Sequence, residues 1–385
     1  MVNWLLSKLK GDPVIWGIIF FLSLIGSLAV YSSTKMLALK SQQGYEYFLF
    51  KHLIIIIFGF LVIFFSHKVN YRYYAGIAKI LLPIAFGLMV LTYFSDYSVN
   101  QAKRWLPIPG TGLTIQTSDI AKLSLIMFLA RAISLKQDLI KDFKKGFLPL
   151  MIPILAICLV IAPSDLSTSA TLLFTSIVLL FVGRAKIQHI GIIFLAAIIG
   201  LSIIVLLAQV FDWEWLRWST WQSRFADYFS ASDGSFQNQQ AKIAIAKGGL
   251  IGVGPGNSVQ RSFLPNPYGD FIYAIIVEEY GAMGGIFLIS LYLLLLYRAI
   301  RILLKSSNSF GALLAVGLTM SLVIQAMFNM GVAVHLFPNT GLALPLVSMG
   351  GTSLIFTCLA LGIILSVSAY NEDLKNTKNP VKQKQ

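Results

Sequence analysis

Apolar residues in this chain run in long blocks, and short polar segments separate the blocks. Ten blocks read as helices crossing a bilayer, whose core takes about 20 apolar residues per helix. They cover residues 14–31, 50–66, 77–94, 118–133, 148–162, 168–182, 187–209, 271–297, 311–334 and 344–369, and the sixth is short. The pattern predicts an all-α polytopic membrane protein with ten transmembrane helices. Most connections are brief, but residues 211–269 form one long loop between helices 7 and 8. Long ordered loops tend to carry function. No small-residue cleavage site follows the first block, and a second block comes soon after. The first block is therefore expected to stay as a helix, not to leave as a signal peptide. No internal repeat interrupts residues 1–370, which read as a single membrane domain. The polar tail NEDLKNTKNPVKQKQ, residues 371–385, is expected to be disordered and solvated.

Composition agrees with lipid as the solvent. Of 385 residues, 57% are hydrophobic and 12% charged, about half the charged share of a soluble domain. Basic residues then set the orientation. With the N-terminus in the cytoplasm, inside segments hold 19 of the 30 lysines and arginines and outside segments hold 10; Lys122 falls within a span. Both termini are thus expected in the cytoplasm, and the 211–269 loop is extracytoplasmic. The net charge of +14 is answered by anionic lipid beneath the cytoplasmic loops, so no nucleic-acid partner is implied. Cys158 and Cys358 both lie in spans and read as buried thiols.

Polar residues gather at the outer ends of the spans. They lie in QAKRWLPIPGTGLTIQTSDIAKLSL, APSDLST and HLFPNTGLALPLVSMGGTS, and in the long loop. Asp270 precedes the eighth span; it can cap that helix or serve chemistry at the rim. Glu278 and Glu279 follow roughly 12 Å further in, at 1.5 Å per residue. Ionisable groups at that depth are costly and usually face a bundle interior or a wet cavity. Pairing with Arg104 or Lys122 is one structural reading. Asp165 suits a turn. Lys122 could snorkel from near a span end, but it sits one turn after Asp119, so an internal ion pair competes. Trp105 suits the membrane interface. The glycines of KGGLIGVGPG could cradle phosphate on backbone amides, or simply turn the chain, with Lys242 and Lys247 flanking them. No H-E-x-x-H, G-x-S-x-G or Cys-x-x-Cys occurs, and four histidines are scattered, which speaks against a zinc enzyme.

Taken in order, these segments resemble the SEDS family, the shape, elongation, division and sporulation membrane proteins of bacteria. KRWL (103–106) with IQTSDIAKL (115–123) resembles the family's RRW…FQPSELAKL. PSDLSTS (163–169) resembles its QPDLGTA. QNQQAKIAIAKGGLIGVGPGNS (237–258), FLPNPYGDFIYAIIVEEYGAMGG (263–285) and LPLVSMGGTS (344–353) resemble three further family segments. Thr117 and Asp119 stand where the family usually has Pro and Glu, and Tyr268-Gly269 where it usually has His-Thr. NMGVAVHLFPNTGLALPLVSMGG (329–351) is more similar to the division-type branch than to the elongation-type branch.

The resemblance implies a peptidoglycan glycosyltransferase that polymerises lipid II, with inversion and release of undecaprenyl pyrophosphate. The family's catalytic aspartate maps onto Asp270. Arg104, Trp105, Lys122, Gln240, Lys247, Arg261 and Ser348 are the expected substrate-binding residues. Asp119, Glu278 and Glu279 are expected to support them. The resemblance also implies a divalent cation, Mg2+ or Mn2+, with Asp165 a candidate ligand. Expected partners are a class B penicillin-binding protein acting as transpeptidase, other divisome proteins and the membrane itself, at the septum of the bacterial inner membrane. Two other classes stay open: a lipid II flippase, which would move lipid without reaction, and a scaffold, in which Asp270 would be replaceable.

Overall fold

The computed structural model describes residues 10–42, 44–95, 104–107, 114–211, 218–229 and 235–378. The helices are α1 (Pro13–Ser33), α2 (Lys35–Ser41), α3 (Tyr45–Ser66) and α4 (Arg72–Phe94). After a small hairpin follow α5 (Thr117–Leu135), α6 (Leu148–Ile161), α7 (Leu166–Val182), α8 (Ile187–Phe211), α9 (Trp218–Phe229) and α10 (Phe236–Gly248). The chain ends with α11 (Ile272–Lys305), α12 (Ser309–Ala333) and α13 (Thr352–Lys378). Among the described residues, seven helices are long and apolar enough to cross a membrane, and Leu166–Val182 is a shorter apolar helix. The chain is thus a multi-pass membrane protein, and its blocks of apolar sequence are helices as expected.

Several boundaries differ from the sequence reading: α3 starts at Tyr45 and α4 at Arg72, ahead of the expected 50 and 77, and α11 runs to Lys305, past the expected 297. The last span was expected from residue 344, but α13 starts at Thr352. The apolar stretch before it turns instead, with Leu346 at φ 63° and Gly351 at φ 54°. At the other end α13 runs to Lys378, so the first half of the expected disordered tail is helical; residues 379–385 lie outside the described residues. The hairpin was also unforeseen. Strand β1 (Trp105–Pro107) pairs antiparallel with β2 (Thr114–Gln116), and Trp105 faces Gln116.

The backbone groups into two compact units where the sequence reads as one domain. One comprises Met1–Tyr71, Ala226–Ser307 and Leu322–Gln385; the other comprises Arg72–Phe225 and Asn308–Ser321. In the first, α3 packs on α13, α1 on α3 and α11, and α10 on α11. A Cβ on Gly59 would lie 2.6 Å from Cys358 Sγ, and one on Gly362 would lie 1.8 Å from Ser66 Oγ. Small residues therefore let α3 and α13 approach closely, as membrane helices do where there is no hydrophobic drive between them. At one end of this unit Asp12 caps α1 by accepting from Val14 N, pairs with Arg298 of α11, and donates its backbone N–H to Ser368 Oγ at 3.1 Å. In the second unit α4 packs on α5, and α6 on α7.

Candidate functional site

Asp270 lies two residues before the first turn of α11 and is half-buried. Its main chain is held at three successive carbonyls. Met349 N donates to Tyr268 O at 3.0 Å, Ser348 Oγ to Gly269 O at 2.7 Å, and Asn329 Nδ2 to Asp270 O at 2.9 Å. Asn329 is 1% exposed and its Nδ2 also donates to Leu342 O at 2.7 Å. One side-chain amide thus ties α12, the 342–349 turn and the Asp270 segment together. Asp270 does not cap α11; the residue at the cap is Phe271, which makes no side-chain cap bond. The neighbouring Tyr268 phenol is pushed above its usual range by burial and then by the charge of Asp270, so it stays a hydroxyl at neutral pH.

Ser348 was expected to bind substrate. It is 3% exposed, and its hydroxyl accepts from Leu344 N at 2.8 Å while donating to Gly269 O. Its role here is to brace the loop that carries Asp270. Asn329 is the residue that sequence reading missed. Its signal was available: an amide inside an otherwise apolar span.

Glu278 and Glu279 are 0% and 2% exposed. Neither points at lipid. Glu278 accepts from Ser258 Oγ at 2.5 Å, Val259 N at 3.1 Å and Gln260 N at 3.3 Å. Glu279 accepts from Ser32 Oγ, pairs with Arg261 at 4.0 Å and accepts weakly from Ser258 N at 3.4 Å. Arg261 also donates to Ser32 Oγ at 2.8 Å and to Ser32 O at 3.1 Å. The two carboxylates therefore fasten the 258–261 segment to α11 and α1, and the cation they serve is Arg261. Each buried charge has fixed donors around it, the condition under which burial is tolerated.

The glycine-rich stretch packs its backbone against α11. Inside α11, Gly281 takes φ 70°, ψ −175° and interrupts the helix. The backbone groups it frees are met by the stretch after α10. Ala282 N donates to Gly249 O at 2.9 Å and Met283 N to Leu250 O at 3.3 Å. Val253 N donates to Glu278 O at 2.9 Å and Gly254 N to Glu279 O at 3.0 Å. The amides of Val253 and Gly254 are thus engaged by α11, and that of Gly252 by Gly248 O. A Cβ on Gly252 or Gly281 would sit 2.2 Å from a backbone carbonyl oxygen. Gly281→Ala is therefore expected to destabilise the protein by roughly 3 kcal/mol, from left-handed strain plus overpacking. Its thermal unfolding in detergent, compared with an alanine at exposed Lys242, checks this.

Arg104, Trp105, Asp119, Lys122 and Asp165 lie in the second unit. The hairpin delivers them: Thr117 N donates to Arg104 O at 3.3 Å, and α5 begins directly after β2. Arg104 pairs with Asp165 at 2.8 Å and donates to Ser164 O at 2.9 Å. Lys122 pairs with Asp119 at 2.7 Å, as the spacing predicted. Trp105 and Lys122 are half-buried. In the first unit, Gln240 is half-buried and Lys247 is exposed on α10. Arg104 and Lys122, the partners first considered for the glutamates, each pair with an aspartate, Asp165 and Asp119.

Asp165 fits a cation poorly. Oδ1 caps α7 by accepting from Thr168 N at 3.1 Å, and Oδ2 accepts from Thr168 Oγ1 and Arg104, both at 2.8 Å. Among the described residues no three of His, Cys, Asp or Glu stand close enough to hold a metal ion. Asp165→Ala is expected to lower stability by about 1–2 kcal/mol through the lost cap and ion pair. Thermal melts with and without Mg2+ should give the same loss; a loss seen only with Mg2+ would restore Asp165 as a ligand.

The sequence matches the family described as "Cell cycle protein", of FtsW, RodA and SpoVE, over residues 13–373. It is 34% identical to "Stage V sporulation protein E" of Bacillus subtilis over 369 residues, covering 95% of this chain and 99% of the relative. It is also 34% identical to "Probable peptidoglycan glycosyltransferase FtsW" of Geobacter metallireducens, over 93% of this chain and 94% of the relative. Among solved structures, a chain from a peptidoglycan synthase complex matches with a TM-score of 0.69 at 25% identity, covering 94% of this chain and 98% of that one. The rod shape determining protein RodA of Thermus thermophilus has the same fold, with a TM-score of 0.67 at 22% identity over 94% and 97% of the two chains.

Proposed function

Since the chain belongs to the cell cycle protein family of FtsW, RodA and SpoVE, we propose that it is a peptidoglycan glycosyltransferase of the division type. The observation that carries the site assignment is the triple main-chain hold on residues 268–270, which fixes one carboxylate at the mouth of α11. In the proposed reaction the 4-hydroxyl of one lipid II unit attacks the anomeric carbon of the lipid-linked glycan. Asp270 takes the hydroxyl proton as the new C–O bond forms. The bond from the anomeric carbon to pyrophosphate breaks, undecaprenyl pyrophosphate leaves, and the centre inverts. Charge developing on the leaving group needs fixed cations. Arg261 is proposed for that role, held ready by Ser32 and Glu279. Lys247, Gln240, Arg104, Trp105 and Lys122 are proposed as further substrate contacts.

The proposal extends to topology and partners. Ten spans are proposed from the apolar blocks, and the basic-residue bias places both termini in the cytoplasm and the 211–269 segment outside. A polymerase of this kind needs a crosslinking enzyme, and a class B penicillin-binding protein with the rest of the division machinery at the septum is the proposed setting. Support comes from the fold shared with a chain of a peptidoglycan synthase complex. The test is lipid II polymerisation by the purified chain with its transpeptidase. Long glycan supports the reading; lipid II moved across vesicles with no glycan made would replace it with a flippase.

Asn329 is proposed as a positioning residue for Asp270. Asn329→Ala is expected to slow polymerisation about 10- to 100-fold by loosening the base, with the KM for lipid II little changed. A KM rise without a fall in kcat would assign Asn329 to substrate binding instead.

A further inference from the structure

The segment after α10 exposes large apolar side chains on what the sequence makes an extracytoplasmic loop. Leu250 is 75% exposed and Ile251 is 82% exposed. In water, two such residues side by side at a loop tip mark a surface meant for something else. Their position along α11 says what that is. The segment is bonded to α11 at Ala282 and Met283. Arg298, which pairs with Asp12, marks the cytoplasmic end of the same helix in the proposed orientation. Gly281 lies about 26 Å along the helix from it, at 1.5 Å per residue. The hydrocarbon core is about 30 Å thick, so the tip falls inside the core, near its outer edge. The adjacent face of α11 continues the same surface, with Met283 69% and Ile286 62% exposed. Those two belong to a membrane-spanning helix and meet lipid.

The backbone follows the rule for non-helical chain at that depth, where each polar group must find a protein partner. The interruption at Gly281 leaves groups that water cannot reach, and residues 249–254 answer them. Lys247, exposed one turn above the tip, falls at the level of the headgroups, where a lysine is well placed.

We propose that residues 249–253 form a re-entrant tip that buries Leu250 and Ile251 among the acyl chains of the outer leaflet. This rests on the orientation proposed above. The tip anchors α10, and with it the 258–261 segment, to the membrane surface where a lipid-linked substrate must lie.

The test places single cysteines at Ile251 and at Lys242, both exposed positions, in the full chain in proteoliposomes of sorted orientation. A membrane-impermeant maleimide is added from the outer side, and a fluorophore on Ile251→Cys is challenged with lipids brominated along their tails. Lys242→Cys should react freely from outside. Ile251→Cys should react at least about ten times more slowly, because its thiolate would have to form in hydrocarbon, and its fluorophore should be quenched. Equal rates with no quenching would overturn the re-entrant tip while leaving the orientation intact. Reaction of Lys242→Cys from the inner side alone would overturn both.

Discussion

Asp270→Ala is expected to cut lipid II polymerisation by roughly 10²- to 10⁴-fold, the share of a rate that a positioned general base supplies. The protein should otherwise stay folded. The hold that Asn329 has on position 270 is on the backbone carbonyl, and alanine keeps it. The braces on Tyr268 and Gly269 are likewise to main chain. Asp270→Asn sharpens the result, since it preserves size and polarity and removes only the basic oxygen. Both variants should bind the proposed transpeptidase partner as tightly as the unaltered chain. Retained polymerisation by either would remove Asp270 from the chemistry and leave its loop a structural element.

The largest stability effect is expected at Glu278. Truncation to alanine would leave the Ser258 hydroxyl and the amides of Val259 and Gln260 without their acceptor. Each buried donor left unsatisfied costs about 1–3 kcal/mol, so a loss of at least about 3 kcal/mol is expected, against the few kcal/mol that separate most proteins from unfolding. Glu278→Gln should be only partly better, because its amide nitrogen would face donors. Thermal unfolding in detergent measures this, and activity should fall with it, since Arg261 rides on the same segment. A Glu278→Ala protein as stable as the native chain would mean that water enters and takes over the role of the carboxylate.

Much of the membrane architecture could be read from the sequence, because a bilayer imposes one requirement on every spanning segment and the apolar blocks meet it. The Asp119–Lys122 pair was equally legible, being set by helix spacing alone. What escaped reading depends on dihedral angles or on contacts far apart in sequence. Leu344 to Met349 is apolar and was read as helix, yet Leu346 at φ 63° turns the chain, and composition carries no trace of that. Ser32 and Glu279 are 247 positions apart, so nothing near either residue announces the other. The glycine-rich stretch showed that the backbone does something unusual there, but not whether its amides face a ligand or a helix. Asn329 is visible as a polar residue in a span, but the carbonyls it holds, those of Asp270 and Leu342, lie 59 and 13 positions away.

The junction between residues 249–254 and α11 is made by main-chain groups alone. Such a junction does not read side chains, so mutation can pass through it freely except where a Cβ would collide. Gly252 and Gly281 should therefore hold fast across descendants of this sequence, while positions 250, 251 and 253 drift among apolar types. A segment built this way can be retuned to membranes of different lipid composition, generation by generation, without disturbing its junction with α11.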